Sequence, residues 1–367
     1  MQLNEQEKYW LWLYSIEGVG LKRFHALLDE FVDVKSIWDN AHKDNTRLNC
    51  VGEAVKQRIL ACRNDDYMEQ QLRLVEKAEC RVVTMLAPEY PRWLKEIYDP
   101  PPVLFVKGGN IDYEKMIAVV GTRHCTRIGR ETAKYIGKGL SQSGVSVVSG
   151  LARGIDTAAH LGALEGGTPT IAVLGCGVDV IYPPENRACY ERIMENGAVV
   201  SEYMPQTEPL PVHFPRRNRI ISGMSRAVVV VESPNKSGSM LTVEFAQEQG
   251  RDVFAVPGSI LSKSNEGTNA LLRECAYPFT KVEDVLNEYG WNKQILLEQK
   301  KFELPEAQNN EERALMELLQ SGEHSYEELM EALKLNAQEL NTQLSIMEVR
   351  GILSRLPGRR YKLNNGI

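Results

Sequence analysis

From Ile117 onward, short apolar runs alternate with stretches of helical periodicity. The runs lie at 117–120, 145–148, 170–174, 198–200, 227–231 and 253–256, with Val and Ile on consecutive positions. Unbroken β-branched runs of this kind are the pattern of strands buried on both faces of a parallel sheet. Segments 131–141, 156–165, 187–195 and 239–249 lie between them and read as helices. Alternating strands and helices predict a doubly wound, Rossmann-like α/β sheet.

The flanks have other textures. Residues 1–80 carry amphipathic helical runs at 23–31, 54–62 and 67–77, and the Pro- and aromatic-rich stretch 88–102 reads as an ordered connection rather than a helix. Beyond Gly290 a polar bridge leads to helical patterns at 313–319, 326–333 and 338–350. Two short apolar runs around Pro357-Gly358 follow, the outline of a winged helix. The expected organisation is a helical domain (1–80), an extended Rossmann-like domain (85–290), a linker (291–310) and a C-terminal winged-helix domain (311–367).

Composition constrains where and how such a chain works. The N-terminus lacks a basic n-region, and no stretch approaches a membrane span, so a cytoplasmic protein without a membrane partner is expected. Seven cysteines without a Cys-x-x-Cys pair suggest reduced thiols and neither a disulfide framework nor a zinc site. The net charge is −6, so any affinity for polyanions must come from local basic clusters.

Such clusters follow the strands, where open α/β sheets bind ligands. The first loop, 121–129, presents Gly121, Thr122, Arg123, Thr126 and Gly129 ahead of a helix whose free amides can receive an anion. Arg123 stands where a dinucleotide fingerprint has its second glycine, which favours a phosphate grip over a buried pyrophosphate. The second loop offers Ser149, Gly150, Arg153 and Gly154. There Asp156 reads more readily as a helix N-cap than as a sugar contact, and His160 as a structural histidine. A third, at 175–180, is only a weak match to a nucleotide fingerprint. Phe214, Arg216, Arg217, Asn218 and Arg219 form a basic segment that includes a stacking aromatic and no acid. Lys236, Ser237, Gly238 and Ser239 open one further helix, and 267–269, with Asn269, another. No G-x-x-x-x-G-K-[ST] loop is present, which argues against P-loop ATP hydrolysis.

Together the motifs Gly-x-Arg-x-x-Thr-x-x-Gly (121–129), Ser-Gly-Leu-Ala-Arg-Gly-Ile-Asp-Thr-x-x-His (149–160) and Phe-Pro-x-Arg-Asn-Arg-Ile-Ile-Ser-Gly (214–223) resemble the DNA-processing protein A family, also called Smf. Lys-Ser-Gly-Ser (236–239), Val-Pro-Gly (256–258) and Gly-Thr-Asn (267–269) extend the likeness, which is strong over about 85–280. The resemblance implies a dimeric single-stranded DNA-binding protein that protects incoming DNA in natural transformation and helps load the RecA recombinase. It implies no catalytic residue, cofactor or metal. It places DNA contacts on Arg123, the loop around Arg153, and Phe214, Arg217 and Arg219, with Arg216 at a variable position. The turn at 16–20 is similar to a helix-hairpin-helix or SAM-like element.

Two other readings compete. Related Rossmann-like enzymes release bases from nucleoside monophosphates, and Ser237-Gly238-Ser239 with Thr242 and Glu244 loosely echoes their motif. A duplex-binding regulator acting through residues 309–367 is the third, although Glu residues crowd the helices there.

Overall fold

The computed structural model describes residues 3–292, 307, 309–319, 322–350 and 352–363. The chain divides into two compact units, Met1–Tyr289 and Gly290–Ile367.

The first unit opens with helices α1 (Glu5–Ser15), α2 (Leu21–Glu30), α3 (Val34–Asn40), α4 (Glu53–Ala61) and α5 (Asp65–Lys77). Their starts are written in short polar side chains: Asn4, Asp33 and Asn64 each accept from a first-turn amide. Trp10, Leu11, Trp12 and Leu13 are all buried. They share one core with the sheet residues Val82, Val103, Phe105 and Val199. The helices therefore pack on the sheet directly, and the Tyr14 hydroxyl donates to the backbone oxygen of Glu202 at 2.9 Å.

Next come β1 (Arg81–Thr84), α6 (Arg92–Lys95), β2 (Val103–Gly108), β3 (Met116–Val120), α7 (Arg127–Gln142), β4 (Ser146–Ser149), α8 (Ile155–Gly166) and β5 (Thr170–Val173). They are followed by α9 (Arg187–Asn196), β6 (Gly197–Ser201), α10 (His213–Gly223), β7 (Ala227–Val230), α11 (Gly238–Glu248), β8 (Asp252–Ala255), α12 (Glu266–Glu274), β9 (Tyr277–Pro278) and α13 (Val282–Glu288). The strands form one sheet in the order β1-β2-β6-β5-β4-β3-β7-β8-β9.

The six expected strands are the parallel centre. Strands β1 and β2, absent from the sequence reading, add an antiparallel edge, with Phe105 opposite Ser201. Val82-Val83 and the apolar run Val103–Val106 flank the Pro-rich segment, outside the strand–helix alternation that marks the others. That segment also contains α6, a single turn entered from Pro91, where the sequence predicted no helix. Alternate strand residues fill two cores: Phe105 and Val199 face one side, Leu104, Val106, Ala198 and Val200 the other.

The chain builds β3 to β6 in one direction, then crosses back to lay β7 against the free side of β3, Ile117 beside Ala227. This reversal leaves a crevice beyond the carboxyl ends of β3 and β7.

The second unit, described on its own, has α14 (Asn310–Leu319), β10 (His324–Ser325), α15 (Tyr326–Leu333), α16 (Ala337–Val349), β11 (Leu353–Leu356) and β12 (Arg360–Leu363). A three-stranded antiparallel sheet, β10-β12-β11, completes the winged helix. Arg350 pairs with the buried Glu312 at 2.6 Å, which ties the end of α16 to α14. The linker expected at 291–310 falls largely outside the described residues.

Candidate nucleic-acid interface

The crevice at the reversal is a cavity of about 560 Å³. Gly121, Thr122 and Arg123 line it from the loop after β3, and Phe214, Arg217 and Asn218 from α10. Lys236, Ser237, Gly238 and Ser239 line it from the start of α11. A small crevice bordered by Gly150, Arg153, Tyr182, Pro183 and again Arg123, Phe214 and Arg217 extends it. Four predicted clusters, far apart in sequence, thus meet.

Phe214 is the centre. Its half-buried ring lies 5.4 Å from the Tyr182 ring, with the Arg123 guanidinium carbon 5.4 Å above it and that of Arg217 at 6.0 Å. Gly175 permits this placement, since a Cβ there would sit 2.9 Å from Phe214 Cδ1. An exposed guanidinium and two aromatic rings side by side suit a phosphate and an unpaired base.

Arg217 is 3% exposed and donates from Nη1 to the backbone oxygens of Gly150, at 2.8 Å, and Val173. Burial lowers its pKa to about 10, opposed by the Asp156 carboxylate, so it stays cationic at neutral pH. Asp156 does not cap α8, as the sequence suggested. The N-cap is Gly154, and Asp156 instead accepts from the amide of Gly150 at 3.1 Å. Gly154 takes φ +81°, and a Cβ there would press on the Arg123 oxygen at 2.8 Å. The glycine thereby lets the β3 and β4 loops touch.

Burial raises the pKa of Asp156 to about 6, although Arg217 and the amides of Ala152 and Gly150 pull it down. A folded pKa above the unfolded one means that the folded chain binds the proton more readily. The contribution of this group to stability therefore grows as the pH falls from about 6 towards 3.8 and is lost as the pH rises. We expect Asp156→Asn to flatten that window, read as the difference in urea midpoint between variant and wild type from pH 7 to pH 4. Parallel midpoints would refute it.

Other predicted residues serve the fold. Ser149 Oγ donates to Val119 O at 2.7 Å, and His160 is fully buried against Thr170 Oγ1 at 2.8 Å, as expected for a structural histidine. Asn269 clamps both backbone groups of Gly258 at 3.1 Å and does not line the cavity. Arg153 is exposed and paired with Glu185. Arg216 is exposed but outside the lining. Arg219 is turned into the protein, paired with Glu202 at 2.5 Å and Asp99 at 3.1 Å.

The helix start after β3 corrects another expectation. Two of its amides are engaged from within the protein: Thr126 N–H donates to the Glu232 carboxylate, and Gly129 N–H donates to Thr126 Oγ1 at 3.0 Å. Thr126 and Gly129 therefore do not offer themselves to a ligand's phosphate.

Sequence reasoning missed Tyr182, Glu232, Lys263 and Ser264. Lys263 and Ser264 line the cavity from the loop after β8, beyond the Val-Pro-Gly motif. A Tyr-Pro-Pro triplet after the third parallel strand was the available signal for Tyr182. Thr242 lines the cavity, whereas Glu244, which the hydrolase echo requires, is exposed and outside the lining. Among the described residues, no group of three or more His, Cys, Asp and Glu side chains could hold a metal, and no helix is long and apolar enough to cross a membrane.

Residues 81–290 match the family described as DNA recombination-mediator protein A, and residues 299–359 match the DprA winged helix domain. The DNA processing protein DprA of Streptococcus pneumoniae is 49% identical over 202 residues, spanning 54% of this chain and 71% of the relative. The Bacillus subtilis DprA is 42% identical over 202 residues, covering 54% and 68%. The X-ray structure of the S. pneumoniae protein superposes with a TM-score of 0.67 and 37% identity, covering 78% of this chain and 99% of that one. A structure of Helicobacter pylori DNA processing protein A, described for its single-stranded DNA binding mode, gives a TM-score of 0.53 at 28% identity, covering 59% and 98%.

Proposed function

The chain belongs to the DNA recombination-mediator protein A family, and from that membership we propose that the crevice between β3 and β7 is where it holds single-stranded DNA. Its function is that of a single-stranded DNA-binding recombination mediator. The observation that carries this reading is Arg123 and Tyr182 set against the half-buried ring of Phe214, beside the buried cation Arg217. Such a platform needs an unpaired base, because a duplex keeps its base faces stacked inside. Lys236 and Lys263 bring further positive charge to the same cavity. DNA contacts fall on Arg123, Phe214, Arg217, Lys236 and the hydroxyls of Ser237 and Ser239, with Arg153 at the edge.

In this role the protein works in the cytoplasm as a homodimer that shields incoming DNA and hands it to the RecA recombinase in natural transformation. No catalytic step or cofactor is assigned to it. Support for a self-contact is the pair Ile260 and Leu261, 90% and 92% exposed, an adjacent apolar couple that water disfavours. Sedimentation of the full chain, wild type against Ile260→Glu, would check it.

Fluorescence anisotropy with single- and double-stranded oligonucleotides over a salt series tests the main reading. The single strand is expected to bind more tightly. Arg123→Ala should lower the slope of log K against log salt by about 0.7 for each phosphate that the side chain no longer neutralises. Equal affinity for duplex, or an unchanged slope, would overturn it.

A further inference from the structure

Doubly wound folds seat a nucleotide phosphate on the amides that open the helix after the first parallel strand, beside the switch point. In this chain that helix is α7, and a carboxylate from within the protein sits at its opening. Thr126 donates its N–H to Glu232 Oε1 at 3.1 Å and Oε2 at 3.2 Å, and its hydroxyl to Oε2 at 2.9 Å. Glu232 follows β7 across the switch point and is 2% exposed. Its backbone oxygen accepts from Thr122 N–H at 2.8 Å, which fixes it against the β3 loop. The carboxylate reaches so far into the first turn of α7 that a Cβ on Gly129 would collide with it.

We propose that Glu232 determines specificity: its carboxylate occupies the phosphate seat at the start of α7, beside the crevice, and denies that anchor to free nucleotides and dinucleotides. A carboxylate has the charge sign of a phosphate and accepts from the same donors. The phosphates of a mononucleotide would have to displace it or lie against it as a like charge. A strand has no need of that seat. Its phosphates reach Arg123, Lys236 and Lys263 in the cavity, whose lining does not include Glu232, and each pairing adds counterion release. Glu232 thus separates a polymer from the monomers that share its chemistry. The proposal rests on the single-strand reading of the crevice.

Isothermal titration of the full chain with ADP and with inorganic pyrophosphate, beside anisotropy with an oligothymidylate, tests it. The wild type should bind neither small ligand more tightly than about 1 mM. Glu232→Gln keeps the volume and one acceptor for Thr126, and Glu232→Ser empties the seat. Both, with folding checked by thermal transition, should gain at least about tenfold for ADP, near 1.4 kcal/mol, and keep oligonucleotide affinity. Tight ADP binding by the wild type, or folded variants with no gain, would overturn the proposal. An E232Q chain that no longer folds would make the carboxylate a structural requirement and overturn it too. Failure of the wild type to bind oligonucleotide would instead strike the single-strand reading and leave the nucleotide comparison standing.

Discussion

Arg219→Ala is expected to lower the unfolding free energy by about 3–5 kcal/mol, the cost of leaving a buried charge without its partner. Its guanidinium, 7% exposed, bridges Glu202 at 2.5 Å and Asp99 at 3.1 Å. Glu202 is buried, its pKa raised by burial and held down by Arg219, and its backbone oxygen receives the Tyr14 hydroxyl. Without Arg219 that carboxylate must take up a proton or stay charged in an apolar setting, so the loss should grow with pH. The Arg219→Met, Glu202→Gln double variant should recover a good part of it, because removing both charges costs less than orphaning one. Urea unfolding of the single and double variants reads both effects. Folded Arg219→Ala protein should still bind single strands, since this side chain does not line the cavity. A variant of full stability that had lost DNA binding would return Arg219 to the surface role its sequence suggested.

The reason that role misled lies in the helix. Read as a string, Phe214, Arg216, Arg217 and Arg219 look like one basic patch. On α10 successive residues turn by about 100°, as 3.6 residues per turn requires. Arg216 therefore points to solvent, Arg217 into the cavity and Arg219 towards Glu202. A cluster in one dimension disperses over three faces. The parallel strands, by contrast, were legible because burial on both faces demands unbroken Val and Ile, and that demand leaves a local trace. Strands β1 and β2 carry a similar trace, Val82-Val83 and the run Val103–Val106, but it flanks the Pro-rich segment and lies outside the strand–helix alternation that made the others legible.

The glycines tell a related story. Gly121, Gly129, Gly150 and Gly154 suggested a backbone laid bare for phosphate, and their positions after β3 and β4 were right. Their purpose is different: they admit Ile155, Glu232, Arg217 and the Arg123 carbonyl, all from within the protein. A sequence shows that something approaches closely. Which group approaches depends on residues more than sixty positions away, as with Arg217 against Gly150, or over a hundred, as with Glu232 against Thr126. The Tyr-Pro-Pro triplet marked Tyr182 but not its role, since its partner Phe214 lies on another element.

Phe214→Ala should weaken binding of an oligothymidylate by about 1–3 kcal/mol, the usual worth of one aromatic stack on a base, or about 5- to 150-fold in Kd. The ring does two things. It offers a face to an unpaired base, and it orders Arg123, whose guanidinium carbon stands 5.4 Å from it. No charge is removed, so the salt slope should stay at its wild-type value while the whole line drops. Arg123→Ala is expected to do the opposite in slope, and comparing the two separates stacking from phosphate pairing. Phe214→Trp should retain affinity if the larger ring still fits against Gly175, where the present ring already sits within 2.9 Å of a hypothetical Cβ. Duplex binding should be nearly indifferent to Phe214→Ala, because paired bases never reach the ring. An equal drop for single strand and duplex would mean that α10 had shifted rather than that a stack was removed, and an unchanged single-strand affinity would exclude Phe214 from the interface.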